Sequence, residues 1–201
     1  MSDQTADAPR TAGRPRSGAA RDAVLKAAYA ILQEAGIGKF SIEAVALRSG
    51  VARTTIYRWW PNKSVLAVES FLEEFRPHLA FARSGAADAD FRALVASLAA
   101  ALSGPAGRVA ASVVAQAQTD IETQRLFRET FSESLREESS KLLRAGVEQG
   151  RFRADLDVER VIDAYVGAIY LRLLLGSSLD PAWAANLSDT LLRGCLPREP
   201  V

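Results

Sequence analysis

Apolar residues recur at steps of three and four along most of the chain, and polar residues and glycines interrupt them where helices would face solvent or stop. Val24, Leu25, Ala28, Ile31 and Leu32 share one face of a helix that starts near Ser17 and is ended by Gly36 and Gly38. Ser41 can cap a short helix over Ile42 to Ser49; Gly50 breaks it, and a second short helix covers about Arg53 to Trp60. Pro61-Asn62 introduces a long helix from Lys63 to near Arg76, which Pro77 must end or kink, with Ser84-Gly85 as the clearer break. Further helices are expected at about Phe91 to Leu102, Ala106 to Ala117, Ile121 to Gln149, Val158 to Leu175 and Pro181 to Leu196. The longest sets Leu126, Phe127, Phe131, Leu135, Leu142 and Ala145 on one stripe, and the last is announced by Asp180 as a cap with Pro181 at its first position. No alternating strand pattern and no internal repeat interrupts this series, so the expected fold is all-α. Residues 1–17, rich in Ala, Thr, Pro, Arg and Gly, read as a mobile arm.

Two short helices joined by a tight turn form a helix-turn-helix, which needs a small residue at the crossing, a glycine at the turn and apolar residues that hold the second helix on the first. Ala46, Gly50 and Ile56 meet those needs at the right separations, with Val45 and Val51 filling between. In that geometry the second helix offers its first residues to base edges in the major groove, so Arg53, Thr54 and Thr55 point outward, with Tyr57 and Arg58 one turn on. Arginine can donate two parallel hydrogen bonds to guanine, and threonine offers a hydroxyl and a methyl. Tyr57, Arg58, Trp59 and Lys63 can reach phosphates, which would set the register on a duplex. Trp60 stands in phase with Ile56 and is expected in the core.

Charge sharpens this picture. The net charge of +1 conceals ten Lys/Arg against three Asp/Glu in residues 10–64, while residues 65–201 carry fifteen against nineteen. A basic head on a mildly acidic body suits nucleic acid, because phosphate neutralisation supplies most non-specific affinity. One cysteine, Cys195, and one histidine, His78, leave no disulfide, no metal-ligand set and no Cys/His nucleophile; no cofactor is expected. No nucleophile turn or phosphate-binding glycine loop is present, so the chain is not read as an enzyme. Every apolar run is broken by charge before it spans a bilayer and the first residues lack a signal-peptide core, which leaves a cytoplasmic protein as the expectation.

The stretch FSIEAVALRSGVARTTIYRWWPNKSVL resembles the DNA-binding domain of the tetracycline-repressor (TetR) family of bacterial transcription regulators. Ser41, Gly50-Val51, Thr55-Ile56-Tyr57, Trp59-Trp60 and Pro61-Asn62-Lys63 fill the places of the family signature. The resemblance implies DNA contacts for Ser41, Arg53, Thr54, Thr55, Tyr57, Arg58, Trp59 and Lys63. Ala52 stands where a capping serine is usual, a loss of about 1 kcal/mol of capping, and Thr54 replaces a smaller residue, adding a side chain on the DNA side. The domains implied are the arm 1–17, a three-helix head 18–64 and a helical body 65–201 for effector binding and dimerisation. Within the arm, GRPR resembles the core of an AT-hook, which makes Arg14 and Arg16 candidate minor-groove contacts or simply solvated charges.

A single helix-turn-helix covers few base pairs, so a homodimer on a double-stranded operator is expected. Tyr165, Ala168, Ile169 and Leu173 with small Ala164 and Gly167, then Trp183, Leu187, Leu191 and Cys195, form stripes that either join two copies in a four-helix bundle or bury the chain's own core. The resemblance places a small-molecule cavity in the body. The proline-interrupted helix suggests a lining of Phe71, Phe75, His78, Phe81, Leu94, Leu98, Gln116, Phe127, Phe131, Tyr165 and Ile169, and few charges among them favour a neutral, apolar or aromatic effector. A regulator without an effector, or an architectural DNA-binding protein, is the alternative.

Overall fold

The computed structural model describes residues 16–79, 83–118 and 120–196; Arg14 and Phe81, and the side chains of Arg16 and His78, lie outside what it describes. Every regular element among the described residues is helical. Helix α1 (Arg16–Ala35) begins inside the segment expected as an arm, taking in its last two residues, and buries Val24, Leu25, Ala28 and Leu32. A 3₁₀ turn (Ile37–Lys39) leads to α2 (Ile42–Ser49), where the Ser41 hydroxyl accepts from the Ala44 N–H at 3.1 Å. Gly50 sits at φ +69° and donates its N–H to the Ala46 carbonyl, a left-handed turn that any side chain would strain. Helix α3 (Arg53–Trp59) follows and stops one residue earlier than expected, because Trp60 leaves the helix in an extended conformation to turn its ring inward.

Helix α4 (Lys63–Phe75) is capped by Asn62, whose Oδ1 accepts from the Val65 N–H at 2.9 Å. It ends ahead of Pro77 and passes into a 3₁₀ turn (Arg76–Leu79). Helix α5 (Ala87–Ala101) starts four residues before the expected Phe91, since the buried Asp90 carboxylate accepts from the Ser84 N–H (2.6 Å), the Ser84 hydroxyl (2.7 Å) and the Gly85 N–H (3.2 Å) and ties the preceding loop to the first turn. Those bonds, the Ser84 backbone one foremost, hold the Asp90 pKa below the usual carboxylate value. Helix α6 (Gly104–Ala117) is next. The single long helix expected over Ile121 to Gln149 is divided: α7 (Ile121–Phe127) runs through a π turn (Arg128–Ser132) into α8 (Glu133–Glu148). A π turn inserts a residue into the helical phase without breaking the apolar stripe, which is why the pattern conceals it.

Helices α9 (Val158–Leu174) and α10 (Pro181–Cys195) close the chain, the latter capped by Asp180 as expected, Oδ1 accepting from the Trp183 N–H at 2.9 Å. Helix α10 packs on α5, α5 on α8, and α8 on α9, while α4 runs from its partner α1 in the head to α6 and α7 in the body. Gly146 makes the close approach on α8 possible, because a Cβ there would lie 2.3 Å from the Phe152 ring. In the same core the Tyr165 hydroxyl meets Ser139 Oγ at 2.5 Å and its ring stands edge-on to Phe91.

Burial pushes the Tyr165 phenol up to about 12, against the opposing pull of the Ser139 hydrogen bond. The ordinary phenol value is 10.0, so the unfolded chain releases this proton first and the protein loses stability as pH rises from about 10 to about 12. Tyr165→Phe is expected to remove that share of the alkaline fall, read as a smaller drop in the urea midpoint between pH about 9 and pH about 11. An unchanged drop would contradict the assignment.

Candidate nucleic-acid interface

Helix α3 rests on α2 through buried Val45 and Ile56, with half-buried Ala46 and Val51 beside them, so the crossing expected from sequence is formed. That packing fixes which way α3 faces. Arg53, Thr54, Tyr57 and Arg58 are exposed on its outer side and Thr55 is half-buried at their edge. Lys63, exposed at the start of α4, lies just beyond the same helix, and Ser41 opens α2 with its hydroxyl oxygen engaged as a cap and its proton free to donate. Trp59 is half-buried against the core, edge-on to Trp60, with the Arg58 guanidinium 5.8 Å over its ring. It supports Arg58 as well as offering an N–H.

Polar ties also join the helices of the head. The Trp60 indole N–H donates to Glu69 at 2.5 Å, Arg21 pairs with the same carboxylate, and Arg48 grips Glu34 with two bonds of 2.6 and 2.7 Å. The Arg48 hydrogen bonds hold the Glu34 carboxyl below its ordinary pKa. Glu43 is the residue that sequence reasoning passed over: its Oε1 lies 2.5 Å from Arg53 Nη2, on the side where α3 faces outward. A signal was present, for Glu43 is the only acid between Glu34 and Glu69.

In the body, Tyr165 and Cys195, expected at a dimer interface, are 0% and 2% exposed and belong to the chain's own core. Ala168, Leu173, Trp183, Leu187 and Leu191 are half-buried. The outward face of α9 keeps the expected Ala164 and Gly167 but continues through Leu171 and Leu174 to Leu175 at its C-cap, the three leucines being 59%, 54% and 71% exposed. Helix α9 is apolar on both sides, and periodicity alone does not say which side a partner would cover.

The residues named for an effector are brought together in part. Phe71 stacks on Phe75 at 5.0 Å, Phe131 stands 5.4 Å from Phe75 and 6.1 Å from Phe71, and Phe127 lies 5.2 Å from Phe131. These rings fill the space between α4 and the π turn, leaving a void of about 20 Å³ beside Phe75 and Phe131. Leu94, Leu98 and Ile169 are buried and Gln116 is half-buried. A larger cleft, of about 790 Å³, lies at the α5–α6 turn and the α9–α10 loop, lined by alanines, glycines and serines with Leu102, Leu173, Arg108 and Asp180. Such a lining carries no chemical signal in sequence.

Residues 24–69 match the family model described as bacterial regulatory proteins of the tetR family, and residues 81–191 match that of the tetracyclin repressor-like C-terminal domain. The HTH-type transcriptional regulator YdeS of Bacillus subtilis (strain 168) is similar, 31% identical over 183 residues that make up 90% of this chain and 92% of YdeS. Among solved structures, the TetR family transcription regulator SCO0332 is 33% identical with a TM-score of 0.75, covering 89% of this chain and 99% of its own. FadR of Bacillus subtilis, solved in complex with stearoyl-CoA, shares the fold at 18% identity and a TM-score of 0.69, covering 86% and 98%.

Proposed function

We propose, from the premise that the chain belongs to the TetR family of bacterial DNA-binding transcription regulators, that it is a cytoplasmic repressor that binds a palindromic operator as a homodimer and leaves it when a small molecule occupies its body. The observation that carries this reading is the outer side of α3, where Arg53, Thr54, Tyr57 and Arg58 stand exposed on a helix whose inner side is fixed by Ile56, with Trp60 buried just past its end. Arg53 and the threonines read base edges, and Arg58, Tyr57, Trp59, Ser41 and Lys63 bind phosphates and set the register. No single helix among the described residues is long and apolar enough to cross a membrane, in keeping with a target inside the cell.

Dimerisation is supported by the leucines that α9 leaves uncovered next to small Ala164 and Gly167, a face on which two copies can approach closely. Leu171→Glu would put a charge at the centre of that face. The expected result is a shift from dimer to monomer in sedimentation and at least a tenfold loss of operator affinity, since every tenfold is about 1.4 kcal/mol and a half-site alone gives up more. A variant that stays dimeric would move the interface off α9.

Release by an effector has a mechanical route in α4, which begins beside α3 and ends in the Phe71, Phe75, Phe127 and Phe131 cluster; a ligand that parts these rings would tilt α4 and move the head. The stearoyl-CoA in FadR is consistent with an apolar effector here. The close packing of those same rings favours a second reading, a regulator with no effector. A reporter whose promoter overlaps the bound site separates the cases. Expression should fall when the protein is present and recover with an apolar compound; a rise in expression would overturn the repressor, and repression that no compound relieves would support the second reading.

A further inference from the structure

We propose that Glu43 is a positioning residue, holding the Arg53 guanidinium in the orientation that reads a base pair and so setting the specificity of the head; this rests on the reading of α3 as the recognition helix. The geometry is fixed from both ends. Glu43 stands in the first turn of α2, which the Ser41 cap and buried Ile42 anchor, and Arg53 is the first residue of α3, held to α2 by the Gly50 turn. Their Oε1–Nη2 separation is 2.5 Å and each side chain is 56% exposed. The other arginines of the head have different supports: Arg48 faces Glu34 on α1, Arg21 faces Glu69 and Arg58 lies on the Trp59 ring. Of the two arginines on α3, Arg53 is the one that pairs with an acid, while Arg58 lies on a ring.

An acid among residues that meet phosphates repels DNA of any sequence. An exposed ion pair of this kind also adds little to folding stability. What it does supply is orientation, because an arginine has several free rotors and a carboxylate held against its Nη2 as an ion pair restricts where the guanidinium can point, leaving its remaining donors for guanine O6 and N7. The pair therefore exchanges general affinity for discrimination.

This predicts a pattern that a merely structural residue would not produce. The full-length chain is titrated on its preferred duplex and on a random duplex of equal length at one salt concentration. Glu43→Gln should raise affinity for random DNA about two- to fivefold, by removing a repulsive charge, and lower the specific-to-random ratio about tenfold, with melting unchanged. Glu43→Asp keeps the charge and withdraws the carboxylate by one carbon, so the ratio should fall with no gain on random DNA. In an Arg53→Ala background, Glu43→Gln should still raise random affinity but leave the ratio where Arg53→Ala set it. A ratio that Glu43→Gln leaves within about twofold of wild type, or lowers equally with Arg53 absent, overturns the proposal; the second result would make Glu43 itself a base contact, to a cytosine amino group. A wild-type chain that prefers no duplex over random DNA removes the reading of α3, and this inference with it.

Discussion

Trp60→Ala is expected to destabilise the protein by about 3–5 kcal/mol, the range for removing a fully buried large aromatic side chain. The ring is 1% exposed at the junction of three helices: edge-on to Trp59, 5.6 Å beneath the Arg21 guanidinium of α1, and bonded through its N–H to Glu69 of α4. Removing it leaves a cavity behind α3 and takes one donor from a carboxylate that Arg21 then holds alone. The head should loosen, and DNA binding should fall for all sequences together because α3 loses its seat. Trp60→Phe keeps most of the ring and should cost about 1 kcal/mol more than a conservative repacking, through the lost hydrogen bond. Urea unfolding followed by helical signal measures both. A Trp60→Ala cost of under about 0.5 kcal/mol, as for a surface residue, would show that the ring does not anchor α3.

Arg53→Ala should have the opposite signature: a fold as stable as wild type and a selective loss on DNA. A bidentate base contact carries about 1–3 kcal/mol of discrimination, so operator affinity should fall about 5- to 150-fold and preference at one base pair should relax. A smaller uniform loss on random DNA accompanies it, since the variant removes one cation and leaves the Glu43 charge unpaired against phosphate. Arg53→Lys keeps the charge but not the fork, and should recover the random-DNA affinity without the discrimination. Equal losses on specific and random DNA for Arg53→Ala would remove this residue from base reading.

Most of the head was legible in the sequence because its logic is local. Gly50 marks a left-handed turn, Ile56 marks the inner side of α3, and Ser41 and Asn62 are caps whose bonds reach three residues on; Trp60 was placed in the core by its spacing from Ile56, although it reaches there from an extended residue past the end of α3. The elements of the body were legible for the same reason. Their faces were less so: α9 carries Tyr165 and Ile169 on one side and Leu171, Leu174 and Leu175 on another, and inward and outward apolar stripes look alike until the neighbouring helices are placed. That is why Tyr165, and Cys195 on α10, could be read from sequence as interface or as core; they lie in the core. The early start of α5 escaped because Ala86, at its cap position, has no capping side chain, and Asp90 does the tying from inside the helix. The phenylalanines were recognised as a group, whereas their mutual contact depends on how α4, α7 and the π turn come together, and the separate cleft on how α5, α6, α9 and α10 do. The Glu43–Arg53 pair spans only ten residues, but it forms across the turn and needs the crossing of two helices to be seen.

The central claim, that this chain reads DNA sequence as a dimer through α3, is tested most directly by selecting bound duplexes from a random library with the purified full-length protein and sequencing them. An enriched inverted repeat with half-sites about one helical turn or a multiple apart, its sharpest position lost in the Arg53→Ala selection, is the predicted result. A folded protein that enriches no sequence would contradict the claim.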